Sequence, residues 1–250
     1  MKRKTFAWLL VAGLMGAAAW AQTADEIIEK NIQARGGREK LKAVESVRMS
    51  GKMSMGQGME APFTLEMARP KKVRLEFTIQ GMTGVQVYDG TTGWAVMPFM
   101  GKTDPEEVAG DDLKEMEDQA DIDGALVDYK EKGHQVELLG KEDLEGTPAY
   151  KLKLTKKNGD VNTIYIDAES YLEMKIEGKR KVRGQDVEVE STPGDYKPVA
   201  GVMFPHTLEN KAKGAPAGQT ITIEKIEVNP TLGADEFAKP KPAAAPPKKQ

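Results

Sequence analysis

Between Ala68 and Phe99 apolar side chains recur in three short runs, two of them strictly alternating, and no other feature limits the fold of this chain as tightly. Val73, Leu75, Phe77 and Ile79 alternate with Arg74, Glu76, Thr78 and Gln80. A period of two marks a strand with one buried and one wet face. Val85 and Val87 then alternate with Gln86 and Tyr88, and Asp89-Gly90 and Gly93 supply turn chemistry. Trp94, Val96, Met97 and Phe99 form a third run. Three strands offering apolar side chains to one face require something to cover that face.

The rest of the chain supplies little that is helical. Thr23-Ala24-Asp25-Glu26 reads as a capping box, followed by an apolar stripe at Ile27, Ile28 and Ile32 and a stop at Gly36-Gly37. Residues 38–44 add at most one more turn. Asp104-Pro105-Glu106-Glu107 has the composition of a helix start, and Leu113, Met116 and Ala120 follow at i, i+3 and i+7. Two short helices or one broken helix are expected there. Ten acids fall between Asp104 and Asp123 against one base, Lys114. Alternation predicts strands at Val47–Met55 and Phe63–Met67, and again at Gln135–Leu139, Ala149–Thr155 and Val161–Asp167. Further strands are expected at Tyr171–Glu177, Val187–Glu190, Met203–Glu209 and Thr220–Val228, with Asn158-Gly159 as a hairpin turn. Half-buried patterns of this kind favour an antiparallel sheet.

The first 21 residues read as a secretory signal peptide: Lys2, Arg3 and Lys4, an apolar stretch from Phe6 to Ala19, and Ala19-Trp20-Ala21 before Gln22. The chain has no cysteine, which excludes disulfides, thiolate nucleophiles and cysteine metal sites. An exported, disulfide-free chain fits a periplasm. The leader holds three of 36 bases and no acid, so the remainder carries 33 bases against 39 acids, a charge of −6. From Lys239 the tail contains four lysines and no acid, and its Lys-Pro-Ala composition predicts disorder over 239–250. The body between is therefore acidic and unsuited to nucleic acid. Residues 22–238 contain no linker and are expected to form one domain.

About eleven strands against two or three short helices is an unbalanced ratio. Either the sheet curls until its apolar face meets itself, or it forms an open half-barrel with helices as a partial lid. The second arrangement leaves a hydrophobic cavity. Met49, Met53, Met55, Met59, Met67, Met82, Met97 and Met100 crowd the first half, and flexible methionines suit both a pocket wall and a gap-filled core. Catalysis finds no support. His134 and His206 are the only histidines, and no nucleophile elbow, zinc-helix motif or phosphate loop is present. Asp121-Ile122-Asp123-Gly124 has calcium-loop character, but the twelve-residue frame ends on Lys130 in place of a glutamate. No cofactor is expected.

The order of ADEIIEKNIQARGGREKLKAVESVRMSG, ARPKKVRLEF, YDGTTGW, DYKEKGHQVELLGKEDLEGTPAYKLKL, YIDAESYL and IEKIEVNPTLGADEF resembles the LolA-like family of periplasmic outer-membrane lipoprotein-sorting proteins. The resemblance implies an unclosed antiparallel barrel with a helical lid, carrying lipoprotein acyl chains or lipid between inner- and outer-membrane sorting machinery. It also implies that the arginine of an Arg-Pro step, here Arg69-Pro70, helps hold the lid. Cavity-lining residues are then expected at Met49, Met53, Phe63, Leu65, Met67, Val73, Leu75, Phe77, Ile79, Val87, Trp94 and Val96. Lid residues are expected at Ile28, Ile32, Leu113 and Met116, and the protein as a monomer. An envelope sensor that binds a membrane-protein partner on the same fold is the alternative, and a structural envelope protein with a filled core a third.

Overall fold

The structure, a computed structural model, describes residues 22–54, 58–182, 185–233 and 235–243. The expected leader, Met55 and residues 244–250 of the tail lie outside the described residues. The chain enters through α1 (Ala24–Ala34), where Thr23 Oγ1 accepts from the Glu26 amide and Glu26 Oε2 accepts from the Thr23 amide. Gly36 ends the helix at φ +120°, and a Cβ there would lie 2.3 Å from the Gly201 carbonyl oxygen. One further turn follows, α2 (Arg38–Lys42).

The first half of the sheet is a meander of β1 (Ser46–Ser54), β2 (Glu60–Ala68), β3 (Lys72–Ile79), β4 (Met82–Tyr88), β5 (Gly93–Met97) and β6 (Lys102–Val108). A 3₁₀ turn, Pro98–Met100, separates the last two. After α3 (Gly110–Gln119) come β7 (Gln135–Leu144), β8 (Thr147–Thr155), β9 (Val161–Asp167), β10 (Glu173–Val182) and β11 (Gln185–Gly194). A small hairpin of β12 (Lys197–Val199) and β13 (Val202–Phe204) precedes β14 (Thr207–Ala212) and β15 (Gln219–Val228). Thirteen strands form one antiparallel sheet in the order β6-β5-β4-β3-β2-β1-β15-β14-β11-β10-β9-β8-β7. Strands β6 and β7 are its free edges, so the barrel is unclosed as expected, with more than the eleven strands expected.

Two local expectations are overturned. Asp104–Glu107 is strand, not helix: Glu106 and Glu107 pair with Ala95 and Trp94. The unpaired edge of β5 outweighs the local helix signals, and an edge strand tolerates Pro105 because its missing N–H faces away from any ladder. The expected strand Met203–Glu209 is interrupted at Pro205-His206, between β13 and β14.

One hydrophobic core joins strands from both arms of the sheet to the helices. Val47, Met49, Met67, Val73 and Tyr88 come from one arm, and Tyr150, Leu152, Leu154, Ile164 and Ile166 from the other. Between them sit Ile27, Ile28 and Ile32 of α1, Leu41 of α2, Met116 of α3, and Leu126 and Val127 of the following loop. The sheet therefore wraps around its helices, and the face that carries them is the inner face. Among the described residues no helix is long and apolar enough to cross a membrane.

Candidate functional site

Strand register settles which side chains share the inner face, because directly opposed residues point the same way. Val47 opposes Met67 and Met67 opposes Val73; Met49 opposes Leu65 and Leu65 opposes Leu75; Phe63 opposes Phe77. Across the other side of β1, Gly51 and Met53 oppose Ile223 and Ile221. The helices bury the first of these rows. The rows beyond it are less covered: Leu65, Leu75, Phe77, Ile79, Ile221 and Ile223 are half-buried. Phe77 packs at a tilt on Phe99, with ring centroids 5.5 Å apart. A contiguous apolar surface thus continues past the edge of the helical cover.

Nine of the twelve expected lining residues lie on this inner face: Met49, Met53, Phe63, Leu65, Met67, Val73, Leu75, Phe77 and Ile79. Val87, Trp94 and Val96 do not. Ile79 pairs with Met82 across the two-residue turn Gln80-Gly81, whose φ values of 52° and 78° are both positive, as a type I′ turn requires. That loop length pairs odd residues of β3 with even residues of β4, so Val73 opposes Tyr88 while Val87 opposes Arg74. Val87 then opposes Trp94, and Val85 opposes Val96, all on the outer face. The alternation within each strand was correct; the shift in parity between strands moves these three side chains to the far side.

The outer face there is nonetheless dry. Val87 is 0 % and Val96 1 % exposed, although neither belongs to the inner core. The chain after β15 crosses this side: Arg74 Nη1 donates to the Glu236 carbonyl at 3.1 Å, Phe237 is buried, and Lys239 Nζ stands 3.9 Å from the centroid of the Trp94 ring. Pro240 is buried, and the Ala243 amide donates to the Thr103 carbonyl of β6 at 2.8 Å. The tail expected to be disordered from Lys239 is therefore packed as far as Ala243.

On the inner side the four expected lid residues pack as one unit with the sheet. Ile28, Ile32 and Met116 are buried and Leu113 partly so. α3 rests on Gly93, where an added Cβ would lie 2.9 Å from Leu113 Cδ1 and 3.2 Å from Met116 Sδ. Its acidic side reaches the opposite arm: Glu115 pairs with Arg180 of β10 at 2.6 Å, and Asp118 with Lys156 after β8 at 2.5 Å. Beneath these pairs lies an open cleft of ≈ 760 Å³ between α3 and β9–β11. Charged side chains dominate its walls, including Lys114, Asp160, Glu188 and Lys213, and none of the twelve expected lining residues reaches it.

Arg69, just past β2, gathers the helical cover at one point. Its Nε donates to the Val44 carbonyl at 2.8 Å and its Nη2 to the Leu41 carbonyl at 3.2 Å, tying it to α2 and to the chain just beyond that helix. The same guanidinium grips Asp123 with two bonds, Nη1 to Oδ2 at 2.9 Å and Nη2 to Oδ1 at 2.6 Å. The Asp123 side chain is 4 % exposed and also meets Lys42 Nζ at 3.2 Å. Burial alone would push its carboxyl up; the Arg69 and Lys42 cations outweigh this and hold it below the usual carboxylate value. Arg35 Nη1 adds a bond of 2.9 Å to the Asp123 carbonyl. Sequence reasoning missed Asp123 as a partner for Arg69, since its neighbourhood read as a weak calcium loop. In the fold Asp121 pairs with Lys132 at 2.5 Å and Asp123 with Arg69. Among the described residues no group of three or more acidic or histidine side chains is placed to hold a metal.

A second polar cluster ties the start of the chain to the sheet. Tyr150 and Tyr171 stack with centroids 5.8 Å apart. The Tyr150 hydroxyl donates to Gln22 Oε1, and Lys30 Nζ donates to the Tyr171 hydroxyl at 3.1 Å. Hydrogen bonds from Gln22, Tyr150 and Lys30 lower the Tyr171 pKa to about 8. His134 Nδ1 accepts from the Lys157 amide, and His206 Nδ1 lies 3.2 Å from the Phe204 carbonyl; the two histidines do not meet a common partner.

No protein-family model matches this chain, and no curated protein matches it either. Solved structures do. A LolA superfamily protein from Nitrosomonas europaea superposes with a TM-score of 0.57 at 16 % identity, covering 88 % of this chain and 99 % of that one. A DUF1329 family protein from Desulfovibrio piger gives 0.59 at 10 % identity, covering 85 % and 96 %. An outer membrane lipoprotein-sorting protein domain from Vibrio parahaemolyticus gives 0.56 at 13 % identity, covering 85 % and 97 %. Such identities speak to architecture alone. A wrapped, unclosed sheet around a small helical cover, matched along nearly the full length of these chains, gives this protein the fold of the LolA superfamily.

Proposed function

We propose that this protein is a periplasmic carrier that shelters lipoprotein acyl chains or lipid on the inner face of its sheet, for delivery to the outer membrane. The observation that carries the proposal is the half-buried apolar surface of Leu65, Leu75, Phe77, Ile79, Ile221 and Ile223, which runs on from beneath the helices. An acyl chain laid along it would remove apolar area from water at ~0.8 kcal/mol per methylene, roughly 10 kcal/mol for ~14 of them. Cargo of that kind must also be released, and a cover pinned by Arg69 and by the α3 ion pairs supplies an opposing cost. The fold it shares with a lipoprotein-sorting domain supports the same assignment. In this proposal residues 1–21 are removed on export, residues 22–238 act as one monomeric binding domain, and the activity is binding, with no chemistry on the cargo.

The test is uptake of a fluorescent acyl probe by the purified protein, with native mass spectrometry for co-purified lipid. Saturable uptake is expected, with loss on Leu75→Glu or Phe77→Glu, which place a carboxylate on the apolar face. Unchanged uptake in both variants, or none by the wild type, would remove the assignment.

A further inference from the structure

The two ends of the sheet are chemically unlike. At one end the turns between β2 and β3, β4 and β5, β7 and β8, and β9 and β10 each carry charge: Arg69 and Lys71, Asp89, Glu145, and Glu169. At the other end four turns that are neighbours in the strand order have tips without any charge. They join β5 to β6 at 98–101, β3 to β4 at 80–81, β1 to β2 at 55–59, and β14 to β15 at 214–218. Past them the turn between β8 and β9 brings Lys156, Lys157 and Asp160, and the neutral stretch ends.

Two of the neutral tips hold methionine in the open. Met59 is 49 % and Met100 67 % exposed, and among the described residues only Leu139 and Val161 are other large apolar side chains left exposed. Exposed lysines stand at the feet of three of the tips. Lys52 faces Glu60 at 3.5 Å across the hairpin of β1 and β2, Lys102 follows Gly101 and pairs with Glu106 at 2.7 Å, and Lys213 precedes Gly214. The inner apolar face also runs out to this end. Ile79 pairs with Met82 beside the Gln80-Gly81 turn. A Cβ added to Gly84 would lie 2.8 Å from Phe99 Cε1, 3.1 Å from Phe77 Cζ and 3.2 Å from Met97 Sδ, so these side chains close over one glycine.

Adjacent hairpins are two strands apart, about 10 Å, so the four tips make a row roughly 30 Å long. Separate apolar points with cations set back behind them match a layered surface, phosphate outside and hydrocarbon within. We infer that this end of the sheet is a membrane-docking rim. Met59, Met100 and the neutral turns beside them enter the headgroup boundary of a phospholipid bilayer, while Lys52, Lys102 and Lys213 stay at the level of the phosphates. The peptide groups of the turns confine the contact to that boundary, because backbone without hydrogen-bond partners does not enter the hydrocarbon core. Docked in this way, the open end of the inner face meets the bilayer. The rim is read without any cargo, so it stands or fails apart from the carrier assignment.

The test is co-flotation of the purified protein with vesicles of phosphatidylethanolamine and phosphatidylglycerol. Wild type should float with them, and should still do so in high salt, since the entering tips are uncharged. Met59→Glu/Met100→Glu loses the burial of two half-exposed methionines and should float about tenfold less well. Leu139→Glu, at a site equally exposed but on the edge strand β7, should float like wild type. Wild type and variants share every other residue, so the difference between them reads the rim alone. Uptake of the free acyl probe should be the same in all three, which separates docking from cargo binding. Equal flotation of wild type and double variant, no flotation at all, or full release by salt would overturn the proposal. So would a wild-type dimer in solution that the double variant disperses without any vesicle binding, because the partner of the rim would then be a second copy of the chain.

Discussion

Arg69 bonds two backbone carbonyls, of Leu41 in α2 and of Val44 just beyond it, and neutralises a buried carboxylate with one planar group. A lysine could supply the charge but not the two parallel bonds to Asp123. Arg69→Ala leaves Asp123 buried without its main partner, and the expected cost is roughly 3 kcal/mol, read from urea unfolding. Arg69→Lys should recover only part of it. The pH dependence follows from the sign of the Asp123 shift. Its folded pKa is below the unfolded value, so its contribution is complete above the ordinary carboxylate range and is lost as pH falls through the folded pKa. The stability gap between wild type and Asp123→Asn should therefore be full at neutral pH and close in acid. Tyr171 makes a separate prediction. Ultraviolet titration should show one tyrosine ionising at about 8, and Tyr171→Phe should remove that step. Phenolate is favoured in the folded state, so this contribution is present above the unfolded tyrosine pKa of about 10 and fades as pH drops through about 8.

α3 binds by its two sides to two different arms of the sheet. Its apolar side sits on Gly93, and its acids reach Arg180 and Lys156. The Glu115–Arg180 pair is exposed and the Asp118–Lys156 pair partly so, and ion pairs open to water contribute about 0.2–1 kcal/mol each and weaken with salt. Amide exchange in α3 should accordingly rise with ionic strength while β8 and β9 stay protected. Gly93→Leu, which fills the seat of Leu113 and Met116, should raise exchange in α3 at low salt as well. Elements of this kind were partly legible in the sequence. Thr23 and Glu26 announced α1 because a capping box is local chemistry, and alternation announced the strands for the same reason. The Arg69–Asp123 pair was not legible, since nothing in residues 68–71 says that Asp123 lies opposite. Asp104–Glu107 misled because its helix signals are local and its strand partner, β5, is not. Val87, Trp94 and Val96 misled through the Gln80-Gly81 turn: counting its two residues would have placed them on the outer face.

At the scale of the whole molecule, one sheet presents two apolar surfaces. The inner one is shared between the helical cover and the space proposed for cargo, and the outer one is covered by residues 235–243. Sequence separation governs how such a sheet can be made. β1 is flanked by β2, its immediate successor, and by β15, the last strand, with Val47 opposite Val228. Pairings that distant are slow, because the loop-closure entropy is lost before contacts repay it. As the chain emerges in order from its N-terminal side, the meander β1–β6 can form early, but the two arms cannot be joined until Val228 has emerged. Throughout that interval the inner side chains from Met49 to Phe77 lack the helix-capped second arm that shelters them when folded. The last-made strand is thus the keystone, and for as long as it is missing the nascent protein has the same need for shelter that it is proposed to meet in its cargo.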